Sequence, residues 1–209
     1  MLFVRPLLAL LSQGRFFCRA VAVILRGGAG LLVLFSLTTF FQAGKITFEL
    51  PAHAVAGGAL FEVFFVLAVY AAVHIIILRA RDIDQLPPSD FFALPLGALL
   101  LRLIGEAYAA FVALVAVGGG LFVWFTNQSL GKIFYPAVRA MFPAMREDAT
   151  FMGGIEFMAV GVLTALLALV ISYVLSDVLG LLARLGGRQS QLAGPKPVSD
   201  NPFRSRFGS

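Results

Sequence analysis

"FEVFFVLAVYAAVHIIILRA", residues 61–80, decides the fold. Before Arg79 its only carboxylate is Glu62 and its only imidazole is His74. A helix needs about 20 mostly apolar residues to cross a hydrocarbon core of about 30 Å, and this stretch supplies them. The rest of the chain agrees. It is 60% hydrophobic, has 21 Phe, and only 13% of its 209 residues are charged. Ordinary soluble domains carry roughly 25% charged residues. A soluble fold of this size could not hide so much apolar surface, whereas a lipid solvent removes the need to hide it. The fold class is therefore an all-α integral membrane protein, with four transmembrane helices, interfacial helical segments and a disordered C-terminal tail.

Working outward from that stretch, the second span covers about 56–78. It ends in "RARDIDQLPPSD", where Pro87 and Pro88 preclude a continuous helix into the next segment. The first span covers about 21–43, with "GGAG" at 27–30 weakening the helix and permitting close packing. Residues 1–20 mix Leu and Phe with Arg and are expected to lie in the interface plane. They lack a convincing cleavage site, so they are expected to be retained. Residues 44–55 form a short loop. The apolar run 91–125 is too long for one upright span. "FFALPLGALL" is expected to be interfacial and about 102–125 to cross, with Trp124 as an interface anchor. In the loop 126–153, Ile133, Phe134, Val138, Met141 and Phe142 are spaced for one helical face resting on the membrane surface. "NQS" at 127–129 is a weak glycosylation match. The fourth span covers about 154–182 and closes the transmembrane domain, 21–185. The tail, 186–209, is rich in Gly, Pro, Ser and Gln and is expected to be disordered.

The net charge of +5 does not point to nucleic acid, because the basic residues sit at segment ends. Eleven Lys and Arg flank one side of the spans and four the other, with Arg102 set aside. The positive-inside rule then places both termini in the cytoplasm. Compactness and the lack of eukaryotic targeting features suggest a bacterial inner membrane.

Ionisable residues inside spans are costly and are functional candidates by default. With Arg26 set aside because its long side chain can snorkel to the head groups, they are Glu62, His74, Arg102, Glu106, Glu156 and Asp177. Glu62 and His74 are separated by about 18 Å along one helix and rotated by about 120°, so they cannot touch. Arg102 and Glu106 stand four apart on one face and are expected to pair. His74 and Asp177 lie at a similar depth, though each is equally well explained as a helix-end residue. Glu62, flanked by Phe61, Val63, Phe64 and Phe65, is expected to hydrogen-bond Ser36, Thr38 or Thr39 of the first helix. Glu156 lies near the outer end of the fourth span. Between the inner and outer layers no span offers an ionisable residue, and Thr164 and Tyr70 are among the few polar groups at middle depth.

No cofactor, metal or catalytic group is expected. His53 and His74 lie at opposite ends of one span, so one chain cannot sandwich a haem between them. Met141, Met145, Met152 and Met158 read better as interfacial filler than as a copper site. Small residues are the strongest positive signal. Thr164, Ala168, Ser172, Ser176 and Gly180 recur every four positions, as do Gly105, Ala109 and Ala113. Such stripes let backbones approach closely in lipid, on each other or on a partner. The expected partners are the lipid bilayer and either other membrane subunits or further copies of the chain. The expected role is a non-catalytic structural or accessory subunit. The alternative is a small oligomeric channel or proton-coupled transporter using Glu62 and the Arg102–Glu106 pair. A membrane enzyme, requiring Glu62 and Glu156 to converge, comes third.

Overall fold

The computed structural model describes residues 15–86, 93–134 and 149–192. They form four long helices: α1 (Arg15–Glu49), α2 (Val55–Asp84), α3 (Ala93–Thr126) and α4 (Phe151–Leu192). A single 3-10 turn, Leu130–Lys132, follows α3, and no strand occurs among the described residues. All four helices are long and apolar enough to cross a membrane. The all-α membrane fold read from composition is the fold found.

The helices outrun the spans drawn from hydropathy. Residues 15–20 and 44–49, assigned above to an interfacial segment and a loop, belong to α1. Nothing in "GKITFE" breaks a helix, and the stop comes from Pro51, which disfavours helical backbone at Leu50. The interfacial helix expected over 91–100 is not separate. α3 runs unbroken for 34 residues, about 51 Å, with Pro95 in its first turn where a missing N–H leaves no bond unmade. At the far end Asn127 adopts φ 49, a left-handed cap that asparagine tolerates, and its N–H bonds Val123 O at 2.9 Å. α4 continues to Leu192, so the first residues assigned to the tail are helical. Gly186 and Gly187 cost about 1 kcal/mol each relative to alanine without terminating it. Residues 1–14, the Pro87–Pro88 turn, Val138, Met141, Phe142, Met145 and the tail beyond Leu192 lie outside the described residues.

Packing follows chain order. α1 packs on α2, α2 on α3 and α3 on α4, while helices that are not neighbours in sequence barely touch. α3 is accordingly the central helix. Half of its most apolar window (50%) is buried, against 11% for α1 and 17% for α4. The α2–α3 contact is aromatic: Phe61 packs edge-on to Phe122 at 5.7 Å, and Phe65 to Phe111 at 6.3 Å. Ile133 and Phe134 do not rest on a membrane surface. Both are buried, and the Phe134 ring packs against Phe61 and Phe65. Apolar side chains at that turn gain more from closing the core than from lying among head groups.

The α3–α4 contact is made by small residues. A Cβ placed on Gly105 would overlap the Ser172 side chain, and one on Gly161 would overlap Ala116. At the other end, a Cβ on Gly120 would come within 2.8 Å of Gly154 O. The stripes therefore serve this internal contact at Gly105, Ala109, Ala168, Ser172 and Ser176. The stripe runs further than the sequence reading traced it, through Ala116, Gly119, Gly120, Gly154, Gly161 and Ala165. Ala113 packs beside the core and Thr164 is half-buried, but Gly180 meets nothing. Trp124, expected as an interface anchor, joins α3 to α4: its indole N–H donates to Phe151 O at 2.9 Å and its ring stacks on Phe151 at 5.0 Å.

Candidate functional site

Antiparallel neighbours bring the start of α1, the end of α2, the start of α3 and the end of α4 to one end of the helix row. Charged side chains there form a belt across all four. The Arg79 guanidinium of α2 grips Glu106 of α3 with two donors. Its Nε bonds Oε2 at 2.8 Å and its Nη2 bonds Oε1. A third donor, Nη1, reaches Asp82 at 3.0 Å. Tyr173 of α4 donates its hydroxyl to Glu106 Oε1 at 2.6 Å. Arg102 of α3 bonds Asp177 of α4 at 2.7 Å and lies over the Tyr173 ring, 5.2 Å from its centre. On the other flank Arg26 of α1 bonds Asp84 of α2 at 3.2 Å.

The pair expected between Arg102 and Glu106 is thus replaced by two cross-helix pairs. Spacing of four on one helix allows a contact but does not secure it when better acceptors stand opposite. Arg79 presents its planar fork edge-on to Glu106, and such two-point pairing is stronger and more directional than a single bond. Arg26, Arg79, Asp82, Asp84 and Tyr173 were not among the candidates: Arg26 and Arg79 read as flanking charges, Asp82 and Asp84 fall in the polar turn after the second span, and nothing in the sequence marks Tyr173. One signal was available: Arg79 and Glu106 lie at similar depth on consecutive antiparallel helices.

Asp177 joins the belt, while His74 does not. The His74 ring faces out of the helix row and stacks on Tyr70 at 5.8 Å, with planes 18° apart. Tyr70 is itself 65% exposed.

Glu62 lies toward the opposite end. Two of the three hydroxyls expected as its partners are engaged elsewhere: Ser36 donates to Val33 O at 2.7 Å and Thr38 to Phe35 O at 2.6 Å, while Thr39 is buried. Glu62 Oε1 instead faces the surface of Gly44 on α1, buried and without a hydrogen-bond partner. Glu156 is half-buried on α4. Glu62 stands on α2 and Glu156 on α4, two helices that both pack on α3 and barely touch each other. Among the described residues no group of three or more His, Cys, Asp or Glu could share a metal ion.

A cavity of about 550 Å³ opens beside the belt, between the start of α3 and the end of α4. Arg102, Ser176, Asp177 and Arg184 supply its polar wall. A second, almost wholly apolar groove of about 320 Å³ runs between α1 and α2, lined by residues that include Val33, Leu37, Val66 and Tyr70. No family model, curated protein or solved structure matches this chain.

Proposed function

We propose that the protein is a non-catalytic subunit that packs into a larger membrane assembly, in a bacterial inner membrane with both termini and the charged belt on the cytoplasmic side. The Tyr70–His74 pair carries this reading. It turns an imidazole and a phenol outward at membrane depth, with no hydrogen bond to either side chain among the described residues. Polar groups facing lipid without partners are expensive, whereas a hydrogen-bonding residue on a neighbouring helix would satisfy them. Two further features agree. Gly27, Gly28 and Gly30 of α1 meet nothing among the described residues, which leaves a small-residue surface there for another helix. The charges of the belt are bound to one another and hold helices together, which suits a structural part.

Purification of the tagged protein from its native membrane in mild detergent tests the proposal. Foreign membrane chains in fixed stoichiometry are expected, and His74→Leu is expected to reduce their recovery severalfold while the subunit still inserts. Recovery of the protein alone, in wild type and variant alike, would refute it.

Transport is the second reading, favoured by the unpartnered Glu62 Oε1. Carboxylates within membrane spans commonly mark an ion path, and this oxygen is buried without a hydrogen-bond partner. If transport is the activity, Glu62→Gln abolishes proton-coupled flux in liposomes. Unchanged flux removes Glu62 from that role.

A further inference from the structure

The cavity between the start of α3 and the end of α4 has the chemistry of an anion site. Arg102 and Arg184 bring two positive charges and Asp177 one negative, so its wall carries a net charge of about +1. Arg102 commits Nη2 to Asp177, but its Nε is buried and unpartnered. Ser176 is the more telling residue. It is 2% exposed, lines the cavity, and its hydroxyl has no partner. Serines in helices commonly bond a carbonyl of the preceding turn, and Ser172, one turn earlier, does so with Leu169 O at 2.8 Å. Ser176 leaves its hydroxyl unused. Buried polar groups in this state imply a missing partner, and a guanidinium N–H beside a hydroxyl lacks an acceptor. Gly180 opens the wall, since nothing lies within 4 Å of where its Cβ would stand.

The remaining wall is apolar: Leu86, Pro95, Ala98, Leu99 and Leu181. A free inorganic phosphate would gain nothing from it. A glycerophospholipid would, because its singly charged phosphodiester matches the net charge and its glycerol esters suit the apolar side. Basic pockets between transmembrane helices near the membrane surface hold phosphate head groups in this way. We propose that this cavity binds the phosphodiester of a membrane phospholipid, with Arg102, Ser176 and Arg184 as its donors and Gly180 as the opening that admits it. The proposal does not depend on whether the protein is a subunit or a transporter.

Native mass spectrometry of the delipidated full-length protein, titrated with phosphatidylglycerol, tests it. Wild type is expected to hold one lipid preferentially. Gly180→Leu, whose Cβ would stand in open space on the cavity wall, is expected to weaken that binding about tenfold, with an unchanged thermal midpoint in detergent. Arg184→Gln and Ser176→Ala are expected to weaken it severalfold. Diacylglycerol, which lacks the phosphate, is expected not to compete, and millimolar inorganic phosphate is expected not to displace the lipid. Wild-type lipid binding by both Gly180→Leu and Arg184→Gln would overturn the proposal, as would equal competition by diacylglycerol. Displacement by inorganic phosphate that depends on Arg184 would overturn the lipid as the source and leave a free phosphate in its place.

Discussion

Arg79 and Glu106 together tie three helices: Arg79 holds Asp82 on its own helix and Glu106 on α3, and Glu106 in turn accepts from Tyr173 on α4. Removing Arg79 leaves the Glu106 carboxylate with one donor at a half-dry site. Arg79→Met is therefore expected to lower stability by about 2–3 kcal/mol, less than the loss for a fully buried pair because the guanidinium keeps some exposure. Arg79→Lys retains the charge but not the fork and is expected to fall in between. Tyr173→Phe removes one bond to a charged acceptor and is expected to cost about 1.5 kcal/mol. Thermal unfolding in detergent measures all three, and an additive Arg79→Met/Tyr173→Phe double variant would show that the two act separately. At this scale the sequence revealed which side chains were expensive but not how they paired. Arg102 and Glu106 announced themselves by sitting inside an apolar run, while Arg79 lay at the edge of one and read as a flank. Pairing depends on rotation about neighbouring helix axes, which hydropathy does not encode.

Two kinds of glycine share these helices and are expected to behave oppositely. Gly105 and Gly120 lie where α3 and α4 meet backbone to backbone, so a side chain there must push the helices apart. Gly105→Leu is expected to destabilise the fold by at least the ~1–3 kcal/mol typical of overpacking, seen as a lower midpoint in detergent. Gly28 stands in open space on α1. Gly28→Leu is expected to leave the midpoint of the isolated protein unchanged or raise it by up to about 1 kcal/mol through better helix propensity. It is also expected to reduce recovery of partner chains, and undiminished recovery would show that this face meets lipid. Element identity was legible in the sequence because about 20 apolar residues leave little choice in a bilayer. Element ends were not. Hydropathy marks where lipid stops, whereas Pro51 and Asn127 mark where helix stops, and the two differ by up to a turn or more. The four-residue stripe was legible too, though it was traced along only part of its length because Gly118, Gly119 and Gly120 follow one another and obscure the period.

The molecule as a whole is a row of helices with α3 at its centre and α1 at a lightly packed edge. Four spans and antiparallel order could be counted from the sequence. The neighbour relations could not, since a closed bundle and an open row share the same hydropathy profile. An edge helix held by a single neighbour fits a protein completed by others, and α1 is expected to be the part that a partner protects. Proteolysis or hydrogen exchange in detergent should report faster opening of α1 than of α3, and equal rates would contradict that ranking.

The dominance of contacts between consecutive helices also bears on how the chain reaches this form. Each helix meets its main partner as soon as it enters the bilayer behind the one before. Assembly can then keep pace with synthesis, one hairpin at a time. Dismantling can retrace the same path: drawn out of a membrane from either terminus, the row should come apart helix by helix, like beads slipping from a string.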